Sequence, residues 1–304
     1  MITRRGFLAA PALAARAGEP RYKLGITTNT RGGWEKDTWL AFREAKQAGF
    51  DYVETFIHYF KDEWEKDDPS PIADKMAEIG VRFVTISNGG PMEMHFEDPS
   101  KHEQIIAEHV KLANFVKRLG CTHIKCNAGS RRANGSTDDD LRQMAKVYNE
   151  IGERTADIGI RFAPHAHMWS QFENQREIYR ILGNTNPKYV HFVLDTGHVT
   201  MAGTDPVKLA RELKGRVVEY HLKDTPAHTR GGAKRRLERN DSLKDPIFFA
   251  LGTSGGVDFP GLHDALESMN WSGWLTVELD SSPMRPPLES AKMNREYMRK
   301  VFGV

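Results

Sequence analysis

Histidines and carboxylates collect at four points where apolar runs give way to polar turns. His165 and His167 stand in PHAHMW, Asp195 and His198 in LDTGH, His221, Lys223 and Asp224 in YHLKD, and Glu278 and Asp280 in TVELD. Imidazole and carboxylate donors without a cysteine suit one divalent ion of the Mn, Co, Ni, Zn or Fe kind. Mg is less favoured, because two imidazoles are soft ligands for it. Taken singly, each segment has a plainer reading: a strand histidine satisfied in a core, or a DTGH turn that caps a helix. Asp195 and Glu278 resist that reading, since a carboxylate inside an apolar run needs a partner or a metal once buried. Strand alternation places His165 and His167 on one face, and only one of them is expected to touch the ion.

Side chains so far apart in sequence meet only if the elements between them bring the ends of the apolar runs together. Eight runs read as strands: KLGITT, DYVETFI, VRFVTIS, THIKCNA, IRFAPHA, HFVLDTG, VVEYHLK and WLTVELD. Each is short, rich in β-branched or aromatic residues and nearly continuous in hydrophobicity, as strands buried on both faces are. Helical patterns separate them. TWLAFREAKQAG is one, and HEQIIAEHVKLANFVKRLG, with Ile105, Ile106, Val110, Ala113 and Val116 on one stripe, is another. DDDLRQMAKVYNEIGERTADIG follows, with Thr137 placed to cap it and three aspartates in its first turn. QREIYRILG, DPVKLARELKG, FPGLHDALESM and PLESAKMNREYMRKVF complete the set. Gly49, Gly80, Gly120 and Gly159 each close a helix and open a strand, which is the place for a left-handed cap. The alternation predicts an α/β fold of one domain over residues 22–304, a (β/α)8 TIM barrel, with its chemistry at the C-terminal ends of the strands. A doubly wound open sheet is disfavoured, because ITTNTRGGW after the first strand lacks the GxGxxG spacing.

Composition narrows the function. Across 304 residues, 43 Lys and Arg stand against 41 Asp and Glu, so with a net charge of +2 bulk charge does not suggest a nucleic-acid partner. No run approaches the ~18 apolar residues of a membrane span. Cys121 and Cys126 fall on opposite faces of one strand, cannot pair there, and read as core thiols. Met1–Gly18, MITRRGFLAAPALAARAG, sets Arg4 and Arg5 before a short Ala-rich apolar segment. That pattern is expected to be a twin-arginine signal peptide, cleaved to leave a periplasmic or secreted protein.

At the strand-end motifs the chain resembles the xylose-isomerase-like barrel superfamily of sugar isomerases, epimerases and cyclitol dehydratases. The resemblance covers nearly the whole chain after the signal, from KLGITT to the last helix, including the closing unit LGTSGGVDFPGLHDALESMNWSGWLTVELD. It implies one metal held at the ends of strands five to eight, at positions that match His165, Asp195, His221 and Glu278. Sugar epimerases of the group carry a glutamate at the end of strand five, where this chain has His165. The pattern HAHM followed by DTGH looks more like the inosose dehydratase branch, which removes water from a keto-cyclitol. The nuclease branch needs further metal ligands after strand seven, and TPAHTRGGAKRRLERND reads there as a solvated lid or a substrate contact.

The chemistry implied is proton abstraction next to a carbonyl, followed by protonation of the leaving hydroxyl. Glu278 is expected to serve as ligand and base, His167 or His198 as acid, and Lys223 to steady developing negative charge. Glu54, Asn127 and Trp169 are candidates for substrate binding. Trp34, Phe56 and Phe259 also fall near strand ends, with core packing as their default. The expected partner is a small carbohydrate or cyclitol, with self-association left open. An isomerase or epimerase is the alternative, and a non-catalytic carbohydrate-binding barrel is the third reading.

Overall fold

A computed structural model describes residues 21–90, 92–235, 237 and 246–304. The expected signal Met1–Gly18 and part of the basic run after the seventh strand lie outside the described residues. All eight apolar runs form strands: β1 Tyr22–Thr27, β2 Tyr52–Phe56, β3 Arg82–Ser87, β4 His123–Asn127, β5 Arg161–His165, β6 Phe192–Asp195, β7 Val217–Leu222 and β8 Gly273–Val277. They pair in parallel in the order β3-β2-β1-β8-β7-β6-β5-β4, the circuit of a TIM barrel. The β3–β4 seam has side-chain bridges in place of a ladder. Thr85 Oγ1 donates to the His123 carbonyl at 2.7 Å, and the Asn127 N–H donates to Asn88 Oδ1 at 2.7 Å.

The anticipated helices wrap the barrel as α1 Thr38–Gln47, α4 His102–Arg118, α5 Asp138–Ile158, α6 Gln175–Gly183, α8 Pro206–Glu212, α9 Phe259–Ser268 and α10 Pro287–Phe302. The four glycines that join helix to strand have φ between 79° and 92°, which an L side chain rarely adopts. Thr137 and Asp140 form a reciprocal capping box on α5. The stripe expected on α4 is turned. Ile105, His109, Leu112, Ala113, Phe115 and Val116 are buried, while Ile106 and Val110 are only half-buried. Burial of His109 moves the centre of that face: its Nδ1 donates to the Ile105 carbonyl, so the ring enters the core satisfied.

Among the described residues, three helices lie outside the periodic patterns: α2 Lys61–Lys66, α3 Ser70–Ile79 and α7 Thr196–Met201. In α2 only Trp64 is buried, and in α3 only Ile72 and Met76, too few apolar positions to set a period. α7 is buried on every side, so it has no polar face to alternate with. Cys121 and Cys126 are buried and unbonded to each other. No described helix is long and apolar enough to cross a membrane.

Candidate metal centre and active site

Three strands end on a candidate donor or just before one. His165 closes β5 level with Asn127 of β4, Asp195 closes β6 level with His221 of β7, and Glu278 follows the last residue of β8. Parallel pairing thus sets neighbouring donors side by side at one end of the barrel. One ligand atom each from His165, Asp195, His221 and Glu278 lies within 4.8 Å of the others, all on buried residues.

The donor set fits a divalent cation on its hydrogen bonding. His165 Nδ1 lies 3.1 Å from Asn127 Oδ1, an acceptor, so Nδ1 carries the proton and Nε2 is bare. Burial, with Lys125 and His221 nearby, holds this ring well below the usual histidine range and therefore neutral. Its Nε2 has no hydrogen-bond partner, and neither does Asp195 Oδ2, 3.5 Å away. His165 Nε2 is a buried lone pair without a donor, and it faces Asp195 Oδ2, which has the Lys223 ammonium 3.2 Å away; a cation between the two would satisfy both. The other oxygen of Asp195 accepts the His198 N–H at 2.7 Å and caps α7. DTGH is therefore a helix cap and a donor to the cluster at once. Burial pushes Asp195 up to about 7, against the pull of Lys223. His221 Nδ1 lies 2.5 Å from Glu278 Oε2. Despite burial, Glu54 and Glu278 hold this ring well above the usual range, so ion binding at Nδ1 would release a proton.

A second cluster adjoins the quartet. His167, His198 and Asp280 present donor atoms within 4.8 Å of each other. A cation is already among them: Lys223 Nζ lies 2.9 Å from Asp280 Oδ1, 3.0 Å from His198 Nε2, 3.2 Å from Asp195 Oδ2 and 3.3 Å from Glu278 Oε2. Lys223 is fully buried, and although burial lowers its pKa, the three carboxylates outweigh that and keep it charged. Its stem runs over α7, where a Cβ on Gly197 would come within 2.8 Å of Lys223 Cγ, so the glycine of DTGH makes room for the lysine. The His167 and His198 rings lie 3.8 Å apart between centroids. His198 is wholly buried, whereas His167 is half-buried at the mouth, its Nδ1 donating to the Met168 carbonyl at 2.6 Å. Of the two histidines in HAHM, His165 joins the quartet and His167 does not.

The three candidates for substrate binding fare differently. Glu54 is 1% exposed, with Oε1 on Lys125 and Oε2 on His221. Cross-barrel neighbours thus meet Glu54 from inside the barrel. Asn127 orients His165, as above. Trp169, half-buried, has φ of +63° and is held there by three hydrogen bonds: its N–H to Glu173, its carbonyl from Arg131 and its indole N–H to Leu237. It packs against Met168, Met201, Phe248 and Leu279 beside the mouth. Trp34 and Phe259 are core, and Phe56 is half-buried with Lys125 Nζ 5.3 Å from its ring centre. Lys125 was not among the sequence candidates. Its signal was there in THIKCNA, a charge inside an apolar strand, as for Asp195 and Glu278.

The pattern of the family described as Xylose isomerase-like TIM barrel matches residues 42–301. An inosose dehydratase from Glaesserella parasuis is 29% identical over 252 residues, 78% of this chain and 83% of the relative. A sugar phosphate isomerase/epimerase from Parabacteroides distasonis superposes with a TM-score of 0.70 at 19% identity, covering 94% of this chain and 96% of its own. The IolI protein solved with a zinc atom gives 0.68 at 19%, covering 92% and 97%. A match that runs from α1 into α10 takes in every element that carries the four donors, and the chain belongs to the xylose isomerase-like TIM barrel family.

Proposed function

We propose that this chain is a divalent-metal-dependent lyase that removes a proton α to the carbonyl of a keto-sugar or keto-cyclitol and eliminates water. The observation that carries the reading is the buried quartet, with the lone pair of His165 Nε2 unpartnered and facing Asp195 Oδ2, beside the adjoining rings of His167 and His198. The relative named inosose dehydratase and the zinc-bound IolI protein support it. An ion held by His165, Asp195, His221 and Glu278 would supply Lewis acidity at the ketone and its neighbouring hydroxyl.

Proton movements then fall to side chains. Glu278, kept ionised against burial by Lys223 and His221, takes the α-proton. His167, at the mouth and next to His198, gives a proton to the departing hydroxyl from Nε2 of its protonated form, which burial makes more acidic, while Nδ1–H stays on the Met168 carbonyl. Lys223, paired with Glu278 and Asp280, is a fixed positive charge close to where negative charge builds.

A sugar isomerase or epimerase is the second reading, favoured by the neighbour of that name. His165 in place of a strand-five carboxylate weighs against it, since inversion at carbon by two carboxylates needs a second one. Incubation of the protein with a keto-cyclitol, before and after chelation, separates the readings by mass and stereochemistry. The expected product is lighter by one water and forms only with metal. A product of unchanged mass makes the enzyme an isomerase or epimerase, unchanged ligand makes it a binding barrel, and full turnover after chelation removes the metal.

A further inference from the structure

Beneath the quartet the barrel holds another layer of charge. Lys125, on β4, is 2% exposed, and its Nζ lies 2.5 Å from Glu54 Oε1 on β2. Glu54 Oε2 stands 3.1 Å from His221 Nε2, while His221 Nδ1 faces Glu278 and Asp195. Glu219 Oε1 is 3.7 Å from the same Nε2, but the Glu219 oxygens are engaged by His123 and Thr276. Acceptors face both ring nitrogens: Glu54 holds the proton on Nε2, and Nδ1, on the side of the quartet, is the nitrogen whose proton an ion would displace. Taking an ammonium and a carboxylate out of water carries a large desolvation cost, and apolar residues of similar volume often fill such a space at less cost. This pair is buried nonetheless, with Glu54 in contact with a candidate ligand.

We propose that Lys125 and Glu54 form a positioning relay for His221: Lys125 pins one oxygen of Glu54, and the other oxygen holds Nε2–H so that Nδ1 points into the quartet. This rests on the metal reading above. A carboxylate behind a ligating histidine fixes both the tautomer and the ring angle, and its loss costs about 10–100-fold in metal affinity. Lys125 adds a second constraint, because without Nζ the Glu54 carboxylate can turn away from the ring. Neither residue touches substrate, and both act through His221.

Titration of the full chain with Co(II), read by visible absorption, tests the relay apart from turnover. The wild type should bind one Co(II) per chain, and absence of binding would overturn the metal reading and the relay with it. Glu54→Ala should weaken Co(II) about 10–100-fold and change the shape of the absorption band. Glu54→Gln, which keeps an oxygen acceptor, should recover part of the loss. Lys125→Met should act in the same direction. The double variant should bind no more weakly than Glu54→Ala alone, since both changes break one chain of contacts. That variant also removes the unpaired lysine that could keep Glu54→Ala from folding. Wild-type affinity and band shape in the folded variants, with only a lowered Tm, would overturn the relay while leaving the metal reading intact.

Discussion

Glu278 is asked to be a donor to the ion and a base toward substrate, and the two tasks respond differently to one substitution. Glu278→Gln keeps an oxygen donor and loses the proton acceptor. Turnover should fall by about 10²–10⁴-fold, the range typical of lost general-base catalysis, with part of the metal affinity retained. Steady-state kinetics beside a metal titration checks both, and near-normal elimination would move the base to a histidine. His167→Ala should leave metal binding nearly intact and slow turnover, with rescue by substrates that carry a better leaving group. Loss of metal from that variant would mean that His167 holds the ion. At this scale the sequence showed which residue types were out of place. Asp195 and Glu278 were legible because a carboxylate within an apolar strand calls for a partner. Glu54 was legible as polar, but its contacts with Lys125 and His221 were not, because what faces it comes from β4 and β7.

The elements owe their positions to local signals, and those signals can be broken one at a time. Thr137 Oγ1 accepts the Asp140 N–H, and Asp140 Oδ2 accepts the Thr137 N–H at 2.7 Å. The helix they begin, α5, buries Leu141, Met144, Tyr148 and Ile151 against the barrel. Thr137→Ala should cost about 1 kcal/mol, read as a Tm lowered by a few degrees with kcat unchanged. An unshifted Tm would mean that packing alone sets the start of α5. Strands were readable for a related reason. A parallel strand covered on both faces is apolar along its length, and that run is visible without knowing its neighbours. α2 and α3 were not readable, since three buried side chains between them leave no period. α7 was half-legible: its cap, Asp195, stood out, but a helix buried all round hides its own pattern.

For the whole molecule, the barrel and its family are established, and we propose that it works outside the cytoplasm. Arg4 and Arg5, ahead of Phe7 and an Ala-rich stretch, carry that proposal. Replacing both with Lys should trap the chain inside the cell with its signal uncleaved, and unchanged export in a fractionation experiment would remove the twin-arginine reading. The sequence by itself determined the number, order and type of the strands and the end of the barrel where chemistry collects. Each of those follows from burial patterns within a single element, which the spacing of its own residues records. Only the tertiary structure decided which polar groups meet. His221 and Glu54 are 167 residues apart, and their contact depends on barrel closure bringing β7 across from β2. Period-two alternation says that a side chain points inward. It does not say what it will find there, and so the contact between Lys125 and Glu54 emerged only when the barrel closed around them.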